Sequence, residues 1–131
     1  MSSKNIVKNF SFSQNNNNII NDYIFSEYQK KTSIKKLIKN KSDIIDQIIK
    51  KSWLKNNLKL NDICLIAVGG YGRSELFPYS DIDILILLKN YENKNILKNI
   101  ENFIADIWHL KTSVGHSVRT IKDCIFSMNE D

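Results

Sequence analysis

Two aspartates at the head of an apolar run are the residues of this sequence best suited to metal chemistry. Asp81 and Asp83 flank the first residue of the run 82–88, which is apolar apart from Asp83 itself. Alternate residues of a β-strand point to the same face, so the two carboxylates are predicted to emerge side by side. Adjacent like charges repel unless a cation lies between them, and hard oxygen ligands favour Mg²⁺. The spacing therefore predicts Asp81 and Asp83 as catalytic residues and as ligands of Mg²⁺.

A glycine turn ahead of these aspartates is suited to phosphate binding. Gly69 and Gly70 directly follow the apolar run 63–68. Glycine lets the backbone approach a ligand closely and adopt a positive φ, and N–H groups in such a turn can hold phosphate oxygens. A guanidinium beside the turn can add a bidentate contact to the same triphosphate. The predicted nucleotide-binding residues are Gly69, Gly70, Gly72, Arg73 and Ser74.

The residues that follow this turn exclude two common phosphate-binding motifs. No Gly-Lys-Ser/Thr follows, so the turn is not a Walker A loop. The glycine spacing and the following helix of a Rossmann fingerprint are also absent. A lone Gly-Gly is usually a simple turn, and a lone Asp-x-Asp is usually a solvated loop end or a cap. Together, each attached to an apolar run and separated by residues 71–80, they form a specific pattern.

Apolar periodicity predicts the elements that position these residues. Continuous apolar runs bounded by glycine and polar loops predict strands at 63–68, 82–88 and 114–120. Apolar residues at three- and four-residue steps predict helices at 22–58 and 93–110, and a further helix beginning at 121. The predicted fold class is α/β (α+β), a small mixed sheet with packed helices and a long N-terminal helical segment.

The N-terminal part is predicted to divide into a flexible segment and the start of the domain. Residues 1–20 are polar and rich in asparagine, so they are predicted to be flexible and to bury little; the domain is predicted at 21–131. The following helix is either continuous or broken near 39–42, with Ser42 as a helix start. Trp53 and Leu54 are predicted to close its apolar stripe against the core.

The composition indicates a globular domain in a reducing compartment. The 131 residues are 42% hydrophobic and carry a formal charge of +5, mostly from lysine. AT-rich codon usage explains the lysine, asparagine and isoleucine content, so no nucleic-acid partner is predicted. Cys64, predicted as a buried small hydrophobe, and Cys124 do not form a metal spacing, and no secretory signal or membrane-length apolar stretch is present. A cytoplasmic location without membrane contact is expected.

The run Val68-Gly69-Gly70-Tyr71-Gly72-Arg73-Ser74-Glu75-Leu76-Phe77-Pro78-Tyr79-Ser80-Asp81-Ile82-Asp83 resembles the signature of the protein-PII uridylyltransferases. The run Val114-Gly115-His116-Ser117-Val118-Arg119-Thr120 is also similar to a stretch typical of that family. The resemblance implies a nucleotidyltransferase fold and Mg²⁺-dependent transfer of UMP from UTP to a tyrosine of the PII regulator, in nitrogen-status signalling. Family members continue into an HD domain that removes UMP and into ACT domains that sense glutamine. The chain is therefore expected to be a fragment with an incomplete nucleotidyltransferase domain.

Two positions depart from what the resemblance implies. Superfamily members use a third carboxylate from a later strand, and family members carry acidic residues near positions 109 and 113. This sequence has His109 and Ser113 there. The third ligand is therefore expected beyond Asp131, or activity is compromised, and the chain alone is expected to be a poor enzyme.

Several readings stay open. His116 is interpreted as a structural histidine and Trp108 as a core residue. Arg119 is interpreted as an ion-pair partner of Glu75 or an aspartate, or as a nucleotide or partner contact. The rival functions are a catalytically silent nucleotide-binding remnant, a nucleotidyltransferase with a different acceptor, and, more weakly, a basic nucleic-acid-binding module, which the core-like positions expected for the aromatic residues disfavour.

Overall fold

A computed structural model describes residues 2–10, 19–73, 82–110 and 114–130. Within these ranges the chain forms six α-helices, a short 3₁₀ helix and three strands. In chain order these are α1 Ser3–Asn9, α2 Ile19–Gln29, α3 Ile34–Lys55, β1 Ile63–Val68, α4 Gly69–Gly72, β2 Ile82–Leu88, α5 Lys94–Ile107, the 3₁₀ helix Trp108–Leu110, β3 Val114–Thr120 and α6 Ile121–Glu130.

The three predicted strands are confirmed and form one small mixed sheet in the order β1-β2-β3. β2 lies in the centre, antiparallel to β1 and parallel to β3. The connection from β2 to β3 runs through α5, as parallel neighbours require a crossover. The α/β class with a small mixed sheet is therefore the observed one.

The central strand divides the sheet into a buried face and an open face. The buried face of β2 carries Ile82, Ile84, Ile86 and Leu88, which are all nearly inaccessible to solvent. These residues share one hydrophobic core with apolar residues of α3 and α5. The alternate residues of β2, at 83, 85 and 87, are only half-buried. Asp83 therefore lies on the open face, away from the helices that form the core.

The long N-terminal helical segment is present, but its break lies elsewhere than predicted. α2 ends at Gln29, and Lys31 has a φ of 63° before α3 begins. Ser33 caps α3, because its hydroxyl oxygen accepts the N–H of Lys36 at 3.3 Å. The prediction of a helix start at Ser42 is wrong, since Ser42 lies inside α3 and is buried. Both serines satisfy the sequence rule for a cap, and packing of the apolar stripe decides between them.

The end of α3 has the hydrogen-bond pattern of a Schellman motif. Asn57 adopts a φ of 57° and donates its N–H to the carbonyl of Leu54 at 3.1 Å. Leu58 donates to the carbonyl of Trp53 at 3.1 Å, and its side chain is fully buried. The pair satisfies two of the last helical carbonyls and turns the chain towards β1.

The expectation that the segment 1–20 buries little is wrong for residues 2–10. Ile6 of α1 is fully buried and Phe10 is 4% exposed, because both pack into the core beside α3. The ammonium group of Lys51 donates to the carbonyls of Val7, Lys8 and Phe10 at 3.4–3.5 Å. A lysine at this position complements the negative end of the helix. Residues 11–18 lie outside the described residues, and the domain boundary at 20 stays a prediction.

Some residues predicted to be buried are exposed. β1 was predicted as a buried strand, but of its residues only Ile63 is buried and Cys64 is exposed. Cys64 pairs with Leu87 of β2, so it lies on the open face of the sheet with Asp83, away from the helices that form the core. Leu54 and Trp108 are 56% and 66% exposed, so their predicted core positions are also wrong. Leu54 lies in the last turn of α3 and Trp108 lies just beyond α5. Side chains at a helix end are more exposed than those in the middle of the same apolar stripe.

The other side of the core follows the predicted pattern. α5 begins at the cap Asn93 and buries Ile100, Phe103 and Ile107. The ring of Trp53 meets that of Phe103 edge to face at a centroid distance of 5.0 Å. Trp53 therefore closes the stripe of α3 as predicted. None of the helices in the described ranges has the length and apolarity needed to cross a membrane.

Candidate active site

Asp83 is the second residue of the central strand β2 and lies on the sheet's open face. It pairs with Val68 of β1 on one side and with Gly115 of β3 on the other. All three residues lie in one rung, and their side-chain positions point to the same face. The carboxylate is thus flanked by the end of β1, where the glycine turn begins, and by a residue that has no side chain.

The glycine turn approaches this carboxylate directly. Gly69 has a φ of +61°, a conformation that disfavours any side chain. A Cβ built at Gly69 would lie 3.4 Å from Oδ2 of Asp83. Asp83 and the predicted phosphate-binding turn are therefore adjacent in the structure, although they are 14 residues apart in the sequence.

Gly115 approaches the other carboxylate oxygen even more closely. A Cβ built there would lie 2.5 Å from Oδ1 of Asp83, well inside contact distance. Gly115 belongs to the motif 114–120 but was not among the predicted site residues. The signal that could have found it is the register of two parallel strands, which one sequence does not fix.

The rest of the turn is held by contacts of its own. A Cβ at Gly72 would lie 2.8 Å from the carbonyl oxygen of Ala67, so backbone packing requires glycine at this predicted nucleotide-binding position. The N–H of Arg73 donates to the carbonyls of Gly69 and Gly70, each at 3.2 Å. This closes the single turn of α4 and leaves Arg73 exposed immediately beside the site.

Tyr71 anchors the turn from below. Its side chain is 5% exposed, and its hydroxyl donates to Oδ1 of Asp46 on α3 at 2.5 Å. Burial raises the pKa of the Tyr71 hydroxyl, and the carboxylate that accepts its proton raises it further. The phenol therefore stays protonated as a donor. Neither Tyr71 nor Asp46 was among the predicted site residues.

Some predicted site residues lie outside the described residues, and the described residues do not contain a complete group of metal ligands. Asp81 and Ser74 belong to the undescribed range 74–81, and Ser113 to 111–113. Within the described part of the chain, no three histidine, cysteine or acidic side chains are grouped so that they could hold a metal. Asp83 itself fits Mg²⁺, because it is a hard oxygen donor in a space that glycines on both sides leave open. The Mg²⁺ ligands Asp81 and Asp83 therefore stay a prediction, and of the two only Asp83 lies in the described residues.

The two notable residues of β3 lie on opposite faces. His116 pairs with Ile84, so it is on the face opposite Asp83 and does not approach the carboxylate. Arg119 pairs with Leu87 and shares the face of Asp83, two alternate positions further along. Its guanidinium donates to the hydroxyls of Ser117 at 2.9 Å and of Ser127 at 3.2 Å. The bond to Ser127 ties β3 to α6.

The positive charge of Arg119 also reaches the start of α6. Asp123 accepts the backbone N–H of Thr120 at 3.0 Å, and Thr120 accepts the N–H of Asp123 at 3.1 Å, which together form a capping box. The pKa of Asp123 lies below its usual value, chiefly through that backbone bond, then through the hydroxyl of Tyr91, with a smaller effect from Arg119. Of the partners expected for Arg119, an aspartate is thus nearby, and Glu75 is outside the described residues.

Comparison with known proteins identifies the family of the chain. Residues 45–124 match the nucleotidyltransferase domain family, and the chain belongs to that family. Its sequence is similar to the N-terminal region of proteins called bifunctional uridylyltransferase/uridylyl-removing enzyme. The relative from Hydrogenovibrio crunogenus is 42% identical over 113 residues, or 85% of this chain. That from Aliivibrio fischeri strain MJ11 is 42% identical over 78% of the chain, and one from Pseudomonas fluorescens (Pf-5) is 44% identical over 70%.

The chain spans only 10–12% of the length of these relatives. No solved structure matches it. The family membership and the site geometry therefore define a nucleotidyltransferase domain, and substrate and acceptor are matters for a proposal.

Proposed function

We propose that this domain transfers a uridylyl group from UTP to the PII regulatory protein in a Mg²⁺-dependent reaction. The observation that carries the proposal is the carboxylate of Asp83, held on the open sheet face between Gly69 and Gly115. A half-buried carboxylate in an otherwise apolar strand is costly unless it has a task or a partner. The names of the relatives supply the uridylyl group, and the resemblance of the glycine-to-aspartate run supplies the acceptor.

The proposed roles follow from the positions of the residues. Asp83, with Asp81, would hold Mg²⁺, which when bound supplies positive charge to the phosphates and to the departing oxygen. The Gly69-Gly70 turn would receive the phosphate chain, because no side chain stands between its backbone and the carboxylate. Arg73 beside the turn would add a bidentate contact to the triphosphate. Ser74 stays in the proposed nucleotide site on sequence grounds.

The transfer itself is a displacement at the α-phosphorus of UTP. The acceptor hydroxyl oxygen forms a bond to phosphorus, the bond from phosphorus to the pyrophosphate oxygen breaks, and the hydroxyl proton leaves to solvent or a base. Pyrophosphate is the leaving group, and no oxidant or reductant is needed. Positioning and charge stabilisation supply most of the catalysis in reactions of this kind.

The test is a comparison of Asp83→Asn with wild type, using UTP labelled at the α-phosphate, purified PII and Mg²⁺. We expect slow but detectable labelling of PII with wild type, because the chain alone is expected to be a poor enzyme, and none above background with the variant. We expect the variant to stay folded by circular dichroism. Asp43→Asn is the matched control, since Asp43 is exposed on α3 and forms a long, solvent-exposed ion pair with Lys39 at 3.9 Å, which contributes little. Equal labelling by wild type and Asp83→Asn would contradict the assignment.

A nucleotide-binding domain without transfer is the second candidate. The specific observation in its favour is that no three histidine, cysteine or acidic side chains of the described residues are grouped so that they could hold a metal. Mg²⁺-dependent UTP binding without labelling of PII would select this reading, and labelling of another acceptor would select a different transferase.

A further inference from the structure

We propose that Tyr71 and Asp46 form a clamp that sets the position of the Gly69–Gly72 turn and thereby the affinity of the site for nucleotide. Tyr71 is thus a positioning residue of the site, and its effect on nucleotide binding rests on the proposed function.

The composition of the turn makes an anchor necessary. Three of the four residues of α4 are glycines, so Tyr71 is the one residue of this helix whose side chain can pack. Glycine also loses more conformational freedom on ordering than any other residue. A single helical turn has little stability of its own, since nucleation is unfavourable. The position of this turn must therefore be fixed by contacts outside it.

Tyr71 supplies such a contact to a segment that is distant in the sequence. Its ring lies in the hydrophobic core, and its hydroxyl bonds to Asp46, 25 residues earlier in the chain. A buried phenol needs a hydrogen-bond partner, and a carboxylate makes a short, strong one. Asp46 lies on α3 between Ile45 and Ile48, which are 1% and 0% exposed, so it is attached to a helix that packs into the core. The clamp thus connects the turn to the core.

The turn has little room to move on its other sides. Gly69 lies against the carboxylate of Asp83, and Gly72 lies against the carbonyl of Ala67, where an added Cβ would come within 2.8 Å. A shift of the turn by a fraction of an ångström alters the space between Gly69 and Asp83. Sites of this kind must be held within about 0.5 Å of their productive geometry. The clamp would hold that spacing without Tyr71 itself contacting the nucleotide.

A purely structural role of Tyr71 makes a different prediction. If the hydroxyl only contributes to stability, its removal should weaken the whole domain evenly. Ser52→Ala is a matched control, because the Ser52 hydroxyl donates to Asp106 at 2.9 Å and also joins α3 to another element. That bond lies between α3 and α5, away from the glycine turn. Both variants remove one hydroxyl from a bond between α3 and another element.

The experiment measures amide hydrogen exchange and UTP binding on the full chain. In Tyr71→Phe we expect exchange at residues 70–73 to rise about tenfold relative to α5, the factor for one lost hydrogen bond. We expect the dissociation constant for UTP with Mg²⁺, from calorimetry, to rise by a similar factor. Ser52→Ala should change neither quantity at the turn. Asp46→Asn keeps an acceptor oxygen and should fall between wild type and Asp46→Ala, and Tyr71→Phe with Asp46→Ala should be no worse than either alone.

The outcomes separate the clamp from the proposed function. Unchanged exchange at the turn in Tyr71→Phe, or an equal change in Ser52→Ala, would overturn the clamp whether or not UTP binds. Faster exchange at the turn with unchanged UTP affinity would overturn its role in binding. If wild type binds no UTP, the proposed function fails and the affinity part of the clamp fails with it, and the exchange data still decide whether Tyr71 fixes the turn.

Discussion

Substituting alanine for Gly115 tests the geometry of the site most directly. The new Cβ would lie 2.5 Å from Oδ1 of Asp83, about 0.9 Å inside the shortest ordinary contact distance of 3.4 Å. Gly115 lies in a strand and is not among the glycines with positive φ, so its backbone accepts alanine. The strain therefore falls on the carboxylate, which must rotate or move away from the glycine turn.

The expected magnitudes differ for stability and for function. Overpacking of this kind costs about 1–3 kcal/mol when the core cannot yield, and less here because a carboxylate on an open face can rotate. A displacement near 1 Å at a reacting centre can cost about 100-fold in rate. We therefore expect Gly115→Ala to stay folded and to lose roughly 10- to 100-fold in transfer to PII, with weaker Mg²⁺-dependent binding of UTP.

The assay pairs calorimetric UTP binding with labelling of PII, and it reports the free energy of unfolding for each variant. Val118→Ala on the same strand is the control, since Val118 faces the core and its truncation lowers stability without approaching Asp83. If Gly115→Ala bound UTP and labelled PII as wild type does, the carboxylate would not need its present position and the reasoning would be refuted.

Two further predictions concern the arginine beside the turn and the cap of α6. Arg73→Lys keeps the charge but loses the planar fork, so UTP affinity should fall several-fold, about as much as loss of one charge-assisted hydrogen bond; calorimetry showing equal affinities would remove Arg73 from the site. The pKa of Asp123 is below its usual 3.8 in the folded chain, so the stability it contributes is present above that value and lost as pH falls through the lowered pKa. Urea unfolding should therefore show wild type more stable than Asp123→Asn at pH 7, with the difference shrinking at pH 3, and a constant difference would contradict the cap.

The sequence was sufficient for strands that are continuous apolar runs. β2 could be predicted because its apolar run is bounded by polar residues, and the two-residue period of a strand places Asp83 on the face opposite Ile82 and Ile84. A similar apolar run indicates a strand at β1 but not its exposure, because exposure depends on which face of the sheet the core helices cover. Cys64 is exposed for that reason, although its neighbours in sequence are apolar.

The helix boundaries show where local signals compete. Ser33 and Ser42 both suit a helix cap, and the sequence gives no reason to prefer Ser33. In the fold, Ser42 faces the core together with the buried residues Ile45 and Ile49, so the helix runs through it. Trp108 was wrongly predicted to be a core residue, because it continues the apolar periodicity of α5. In the structure it lies beyond the end of that helix and is exposed. Tertiary packing settled both cases.

The contacts that define the site were hidden because they join distant segments. Tyr71 and Asp46 are 25 residues apart, and nothing in either neighbourhood predicts their hydrogen bond. Tyr71 also resembles an ordinary turn residue between glycines, and its burial appears only when α3 is placed beneath it. Residues that hold a site from outside carry a weaker sequence signal than the residues that form it.

The two glycines beside Asp83 carry different weight as evidence for function. Gly69 is required by its own backbone, because a φ of +61° strains any side chain, so its presence would be explained without a ligand. Gly115 has no such conformational reason, and glycine in a strand costs about 0.5–1 kcal/mol relative to alanine. The nearest atom to its missing Cβ is a carboxylate oxygen of Asp83, at 2.5 Å. Glycine at position 115 thus lowers the stability of the strand but leaves space for the Asp83 carboxylate. This space makes β3 part of a site that is otherwise formed by β1 and β2.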